Sequence, residues 1–234
     1  MCRWPHGKRV LDPGGVRDAE RYILNSSMKS HSHLRYSILF LALALVQLAL
    51  GFDYPLSPEA IREAYFLGNG NPEKRAEFLA KYTHHLPMPK DGPNIASIAV
   101  DTPFACVVDA VAHKLLGYHA PDAEHDFLGK PGCFRVRVEI YFTPTYPDPT
   151  ATAPVLGDFW RDFKVHLKQD TDIAPRSAQG QPIYSDQTIS GYRGADLLLD
   201  YDVKKINQAT PVTIEVIAPG GHEAETTFDL GSLR

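Results

Sequence analysis

The chain has 234 residues, of which 44% are apolar and 22% charged, so its composition is that of a folded globular protein. Seven of its 24 Lys and Arg residues and three of its 28 Asp and Glu residues precede residue 52, which leaves residues 52–234 with a net charge of −8. That charge repels the phosphates of nucleic acids and anionic lipids, and we therefore expect no nucleic-acid partner.

Residues 28–51 have the pattern of a cleavable secretory signal peptide. A positively charged start leads into an apolar run over residues 38–50, interrupted by a single Gln. Ala49 and Gly51 place small side chains three positions and one position before a cleavage site at Phe52. The run is shorter than the roughly 20 residues that a membrane helix needs. We predict an exported protein, periplasmic or extracellular, with no stable membrane span after cleavage; an uncleaved anchor and a buried core helix are the alternatives.

Residues 1–27 stand in front of this signal. Signal peptides are read at the N-terminus of a chain, so a preceding segment is unexpected. We predict that residues 1–27 are a non-native upstream extension and that the native chain starts at Met28.

Residues 52–130 are predicted to form a helical region with one short strand. Two helices begin with the same signal, a capping residue followed by Pro and Glu, at Ser57 and at Asn71. We expect the first to end at Gly68 and the second at His85, which makes a helical hairpin. The other elements predicted here are a strand over 95–100 and helices over 102–117 and 121–128. The helix over 102–117 would carry Leu115 on its apolar face, and its β-branched residues leave a strand as the alternative.

From Phe134 onward the apolar period changes to two, which is typical of strands with one buried face. We predict that residues 131–234 form an antiparallel β-sandwich of immunoglobulin-like character, on which the helical region packs, giving an α+β fold. Residues 144–157 and 170–182 are predicted to be long loops. The predicted strands are 134–143, 163–168, 195–201, 212–217 and 224–230.

Two cysteines, Cys106 and Cys133, follow the predicted cleavage site. An even number of cysteines in an exported chain is consistent with a disulfide. Two buried free thiols are the alternative, because spacing alone does not establish disulfide geometry.

The segment from His113 to Asp126 is rich in metal-ligand types, which include His119, Glu124 and His125. A metal site needs imidazole and carboxylate groups that converge from fixed elements, and the spacing here matches no zinc motif. A metal-dependent enzyme using this region is one alternative function, and a solvated helix face is the other interpretation.

Two Asp-x-Asp pairs, Asp170/Asp172 and Asp200/Asp202, could gather oxygen ligands for calcium at one end of a sandwich. Residues 199–202 superficially resemble a calcium-binding C2 loop, a resemblance that covers four residues. A calcium-stabilised adhesion module is therefore a second alternative, and surface charge on an acidic protein is the simpler interpretation.

Aromatic side chains in the β half could form a binding face for a protein or glycan partner, and packing in the core or at its rim is the alternative interpretation for most of them. They lie in or beside the predicted loops and polar strand faces. These residues are Tyr141, Tyr146, Trp160, Tyr184 and Tyr192.

The sequence contains no Gly-x-Ser-x-Gly and no Gly-rich phosphate loop, and both cysteines lie beside apolar or Gly neighbours. We therefore assign no catalytic, cofactor-binding or metal-binding residue. The predicted function is an exported, non-catalytic binding or structural module of the cell envelope or extracellular space.

Overall fold

The computed structural model describes residues 51–146, 158–184 and 192–234, which all lie in one compact unit, Ala49–Arg234. The predicted upstream extension, residues 28–50 of the predicted signal peptide and residues 147–157 of the first predicted loop lie outside the described residues. The described helices are α1 (Pro58–Gly68), α2 (Pro72–Ala80), α3 (Pro103–Ala112) and α4 (Ala120–Phe127).

Nine strands in the described residues form two antiparallel sheets, and this confirms an α+β fold with a sandwich-like arrangement. The first sheet has five strands in the order β1-β2-β3-β7-β6, and the second has four in the order β5-β4-β8-β9. The strands are β1 (Thr83–His85), β2 (Asn94–Asp101), β3 (Cys133–Tyr141), β4 (Lys164–Lys168), β5 (Asp172–Ile173), β6 (Ser177–Tyr184), β7 (Tyr192–Asp202), β8 (Val212–Ile217) and β9 (Glu223–Phe228).

Strand β3 shows how the sequence pattern builds the main core. Its four apolar residues Phe134, Val136, Val138 and Ile140 are fully buried, and the residues between them are half-buried. Side chains at successive positions of a strand point to opposite faces, so one face of β3 joins the core and the other stays polar. The same core takes in buried residues of the second sheet, such as Leu167.

The helices contribute a second, smaller core made by α1, α3 and α4. Both predicted capping residues are confirmed: the Ser57 hydroxyl accepts a hydrogen bond from the Ala60 amide at 3.2 Å, and the Asn71 side-chain oxygen accepts one from the Glu73 amide at 2.6 Å. Thr102 caps α3 in the same way and accepts from the Ala105 amide at 3.3 Å. Helix α3 directly follows β2, which places its first turn beside the end of the five-stranded sheet.

Two predicted helices end earlier than expected. Helix α2 ends at Ala80, and Thr83–His85 instead forms β1, which pairs with β2 at the edge of the first sheet. Pairing satisfies the backbone groups of this short segment, and Thr and His have only modest helix propensity. Helix α3 ends at Ala112, so Leu115, predicted on its apolar face, is 88% exposed.

The predicted loop over residues 170–182 is wrong, because it contains β5 and most of β6. Strand β6 is polar and contains Pro182, and among the described strands it pairs only with β7. An edge strand has one unpaired side and little apolar burial, so it lacks the alternating pattern from which strands are predicted.

Candidate functional site

A cavity among the described residues lies where the helices meet the start of β3. It has a volume of about 210 Å³ and a mainly apolar lining. A few well-placed polar groups in an apolar concavity are typical of small-ligand sites. The lining comes from the 54–56 segment, the first turns of α3, the end of α4 and the 129–133 connection, and it includes Tyr54, Leu56, Pro103, Cys106, Val107, Phe127 and Cys133.

Two further cavities adjoin this one and share Lys130, Pro131 and Gly132 with it. We call the three together the Lys130–Gly132 cleft. The close contact at Gly132 shapes its wall: a Cβ atom there would overlap the Tyr54 ring and lie 3.2 Å from Val203. Only a glycine therefore allows the aromatic ring to lie against the connection that precedes β3.

The second cavity of the cleft, about 580 Å³, has a basic lining. Its charged residues are Lys130, Arg176, Lys204 and Lys205 with one acid, Asp202, whose carboxylate accepts a hydrogen bond from the Lys204 amide at 3.1 Å. Among the described residues, no salt bridge engages Arg176, Lys204 or Lys205. Four bases against one acid is a local reversal of charge on a chain whose residues 52–234 carry a net charge of −8.

The two cysteines lie together on the apolar wall of the cleft. The Cys106 Sγ is 3.5 Å from the carbonyl oxygen of Cys133, and the Cys133 Sγ is 3.6 Å from the Asp200 carboxylate. A hydrogen bond with the Cys133 side chain, together with burial, raises the pKa of the Cys106 thiol well above its ordinary value. Both thiols are free in this structure.

A charged row crosses the five-stranded sheet next to the cysteines. Arg135 lies opposite Asp101 on one side and Asp200 on the other, and its Nε donates to Asp200 at 2.8 Å. Burial raises the pKa of Asp200, but the hydrogen bond and positive charge of Arg135, together with hydrogen bonds from Cys133 and Ser177, more than offset it, so the net direction is downward. Burial raises the pKa of Asp101, whose nearest guanidinium atom, on Arg137, is 3.6 Å away and beyond hydrogen-bond distance.

The His113–Asp126 segment does not form a converging set of ligands in the structure. The His113 side chain is 77% exposed, and its Nδ1 lies 2.8 Å from the Asp109 carbonyl oxygen. His119 is the N-cap of α4, where its amide donates to the Asp122 carboxylate at 2.8 Å. Over residues 51–146, 158–184 and 192–234, no three His, Cys, Asp or Glu side chains lie close enough to hold a metal ion.

The two Asp-x-Asp pairs likewise serve local contacts. Asp172 lies 2.8 Å from the His166 Nδ1, while Asp200 is engaged by Arg135 and Asp202 caps the short 3₁₀ helix Val203–Lys205. The metal-dependent alternatives thus gain no support from the described geometry, and they stay hypotheses.

Four of the five aromatic side chains considered for a binding face are half-buried, as the alternative of rim packing expects, and Tyr184 is largely exposed, at 58%. Tyr146 and Tyr192 pack edge-to-face with Phe159, while the Tyr141 hydroxyl donates to Glu139 at 2.7 Å. Trp160 covers Gly180. Packing between aromatic rings is favourable, so these side chains bury one another.

Part of this aromatic group lines a groove of about 440 Å³ at the other end of β3. The lining also contains Asn94, whose side-chain oxygen is buried and has no hydrogen-bond partner among the described residues. The complete lining is Met88, Asn94, Tyr141, Phe142, Tyr192 and Arg193. This groove combines ring faces with polar groups and is a second, more polar site.

No family model matches this chain, and neither does any curated protein. None of the described helices is long and apolar enough to cross a membrane.

No local pattern in the sequence predicts the Lys130–Gly132 cleft. Its residues come from five separate stretches of chain, and only tertiary packing brings them together. The Gly-Lys-Pro-Gly run over 129–132 was the available signal, since it predicts a tight connection but says nothing about what lies against it.

Proposed function

We propose that this chain is an exported, non-catalytic binding module that takes a small amphipathic anion in the Lys130–Gly132 cleft. The observation that carries the proposal is the juxtaposition of an apolar cavity of about 210 Å³ with the basic lining of Lys130, Arg176, Lys204 and Lys205. The immunoglobulin-like character of the sandwich stays a prediction.

The chemistry of the lining selects the ligand class. An apolar ring or chain in the first cavity would leave water at a gain of about 25 cal/mol per Å² of buried apolar surface. A carboxylate, sulfonate or phosphate attached to it would lie against the bases of the second cavity, where charge complementarity favours an anion. A neutral or cationic ligand of the same shape would lack the attraction to the bases of the second cavity.

A titration with the fluorescent probe 8-anilinonaphthalene-1-sulfonate tests this assignment, because the probe joins apolar rings to one sulfonate. We expect saturable one-site binding to the full chain, competition by octyl phosphate and at least tenfold weaker competition by octanol. Lys204→Glu with Lys205→Glu should weaken probe binding about tenfold, since reversing two nearby charges costs on the order of 1 kcal/mol or more.

The matched control is Lys81→Glu with Lys164→Glu, which makes the same charge change at two exposed bases outside the cleft. Every variant must keep the melting temperature of the parent, because the probe also binds partly unfolded chains. Equal weakening in both double variants would contradict the proposed site, as would equal competition by octanol and octyl phosphate.

A glycan partner at the aromatic groove is the second candidate function, favoured by the unpartnered Asn94 oxygen. A sugar ring could stack on Tyr141 or Tyr192 and donate a hydroxyl to Asn94. Titration with cello-, malto- and chito-oligosaccharides tests it: Arg193→Ala should weaken any binding found, whereas Lys164→Ala should not. Binding that is indifferent to Arg193 would count against the groove.

A further inference from the structure

We propose that Cys106 and Cys133 are an oxidation site that closes to an intramolecular disulfide, which covalently ties the first turn of α3 to the start of β3. The proposal does not depend on the ligand of the cleft; the oxidising compartment it invokes belongs to the predicted export.

Cys106 and Cys133 lie close together in the fold. The two residues are 27 positions apart and lie on different elements, yet the Cys106 Sγ is 3.5 Å from the Cys133 carbonyl oxygen and 3.7 Å from that of Asp101. Both side chains line the same cavity of about 210 Å³. A disulfide needs a Cα separation of about 4.4–6.8 Å, and the contact between the Cys106 sulfur and the Cys133 backbone brings the two residues side by side.

Neither cysteine is sealed in the core. Cys106 and Cys133 are each only partly buried, and the cavity they line opens onto the rest of the cleft. Because neither residue is fully buried, we place the exchange with an external disulfide at the mouth of this cavity. After residue 52 the sequence contains no other cysteine, so no competing intramolecular partner exists in the predicted mature chain.

The reaction is a double thiol–disulfide exchange with oxidised glutathione or an oxidoreductase disulfide. The thiolate of one cysteine attacks one sulfur of the reagent, which forms a mixed disulfide and releases one thiolate. The thiolate of the other cysteine then attacks the cysteine sulfur of the mixed disulfide and releases the second thiolate. The two protons from the cysteines pass to the two released thiolates, and the reagent gains the two electrons that the cysteines lose.

The bridge would close a loop of 27 positions and constrain the unfolded chain.

The experiment uses the full chain carrying Cys2→Ser, which leaves only the two cysteines of interest. After incubation with oxidised glutathione we expect a mass lower by two hydrogens and a tryptic peptide pair joined through Cys106 and Cys133. The melting temperature should rise by roughly 6–15 °C, and dithiothreitol should reverse both changes. Cys106→Ser and Cys133→Ser variants should show no redox-dependent melting.

Mass measurement on the Cys2→Ser chain does not depend on whether the serine variants fold. Two thiols that stay reactive toward a maleimide in the folded, glutathione-treated chain would overturn the proposal. Stable mixed disulfides with glutathione on each cysteine would overturn it as well. Because these readouts concern sulfur and the cleft is tested by probe binding, failure of one proposal is distinguishable from failure of the other.

Discussion

Asp101 and Asp200 lie in one sheet, yet the pKa values of their carboxyl groups shift in opposite directions. Both are cross-strand partners of Arg135. Asp101 is 2% exposed, and one of its carboxylate oxygens has no hydrogen-bond partner among the described residues. Asp200 accepts hydrogen bonds from Arg135 and Ser177. Their pKa values therefore shift in opposite directions. Burial raises the pKa of Asp101, whereas the hydrogen bonds to Asp200 and the charge of Arg135 together outweigh burial and lower the pKa of Asp200.

Isosteric replacements should convert these shifts into opposite pH dependences of stability. Asp200→Asn should lower the free energy of unfolding at pH 7 by roughly 1 kcal/mol, because a partly exposed charge-assisted hydrogen bond is lost. That contribution is present above the pKa of an unfolded Asp, about 3.9, and disappears as the pH falls through the lower folded-state pKa. The Asp200→Asn deficit should therefore shrink on acidification.

Asp101→Asn should behave in the opposite way. The cost of its buried charge is absent below a pH of about 3.9 and grows as the pH rises through the raised folded-state pKa, so the variant should gain stability relative to the parent with rising pH. Urea unfolding between acidic and neutral pH measures both differences, with exposed Asp91→Asn as the control. Difference curves of the same slope for the two variants would refute the assignment.

At the scale of elements, a strand can be predicted from the sequence when apolar and polar residues alternate along it. Strand β3 is predictable because every second residue enters the core, whereas β6 is polar and is held by pairing with β7 and by contacts that only the fold supplies. One such contact is the Trp160 indole, which lies over Gly180 so closely that a Cβ atom there would overlap the ring.

Gly180→Ala should therefore destabilise the protein by about 1–3 kcal/mol, the usual cost of overpacking. Gln179→Ala, on an exposed neighbouring position of the same strand, should change stability by less than about 0.5 kcal/mol. Thermal and urea unfolding of both variants measures the difference. When Trp160→Leu is also present, Gly180→Ala should destabilise the protein less. Strictly additive effects of the two substitutions would show that the indole does not cause the destabilisation by Gly180→Ala.

At the scale of the whole molecule, the residue that directly follows the predicted cleavage site is part of the hydrophobic core. Phe52, the first residue after the predicted cut, is 1% exposed and packs on Phe134 with ring centroids 5.9 Å apart. A cut before Phe52 leaves this core contact in place, and a cut after it removes a large buried side chain.

We expect N-terminal sequencing of the exported protein to start at Phe52. Phe52→Ala should lower the free energy of unfolding by about 3–5 kcal/mol, and exposed Asp53→Ala should have little effect. An exported chain that starts downstream of Phe52 and melts at the same temperature would contradict both the cleavage site and the role of Phe52 in the core.

The sequence by itself determined the α+β class, the helix starts at Ser57 and Thr102, and the alternating strands, because capping, Pro placement and side-chain period act over a few residues. Only the tertiary structure decided what lies side by side: His85 on a sheet edge, Cys106 beside Cys133, and Lys130 with Arg176 and Lys204 around one cleft. Those contacts join residues far apart in the chain, and their free energies depend on burial and on neighbouring charges that no local pattern contains.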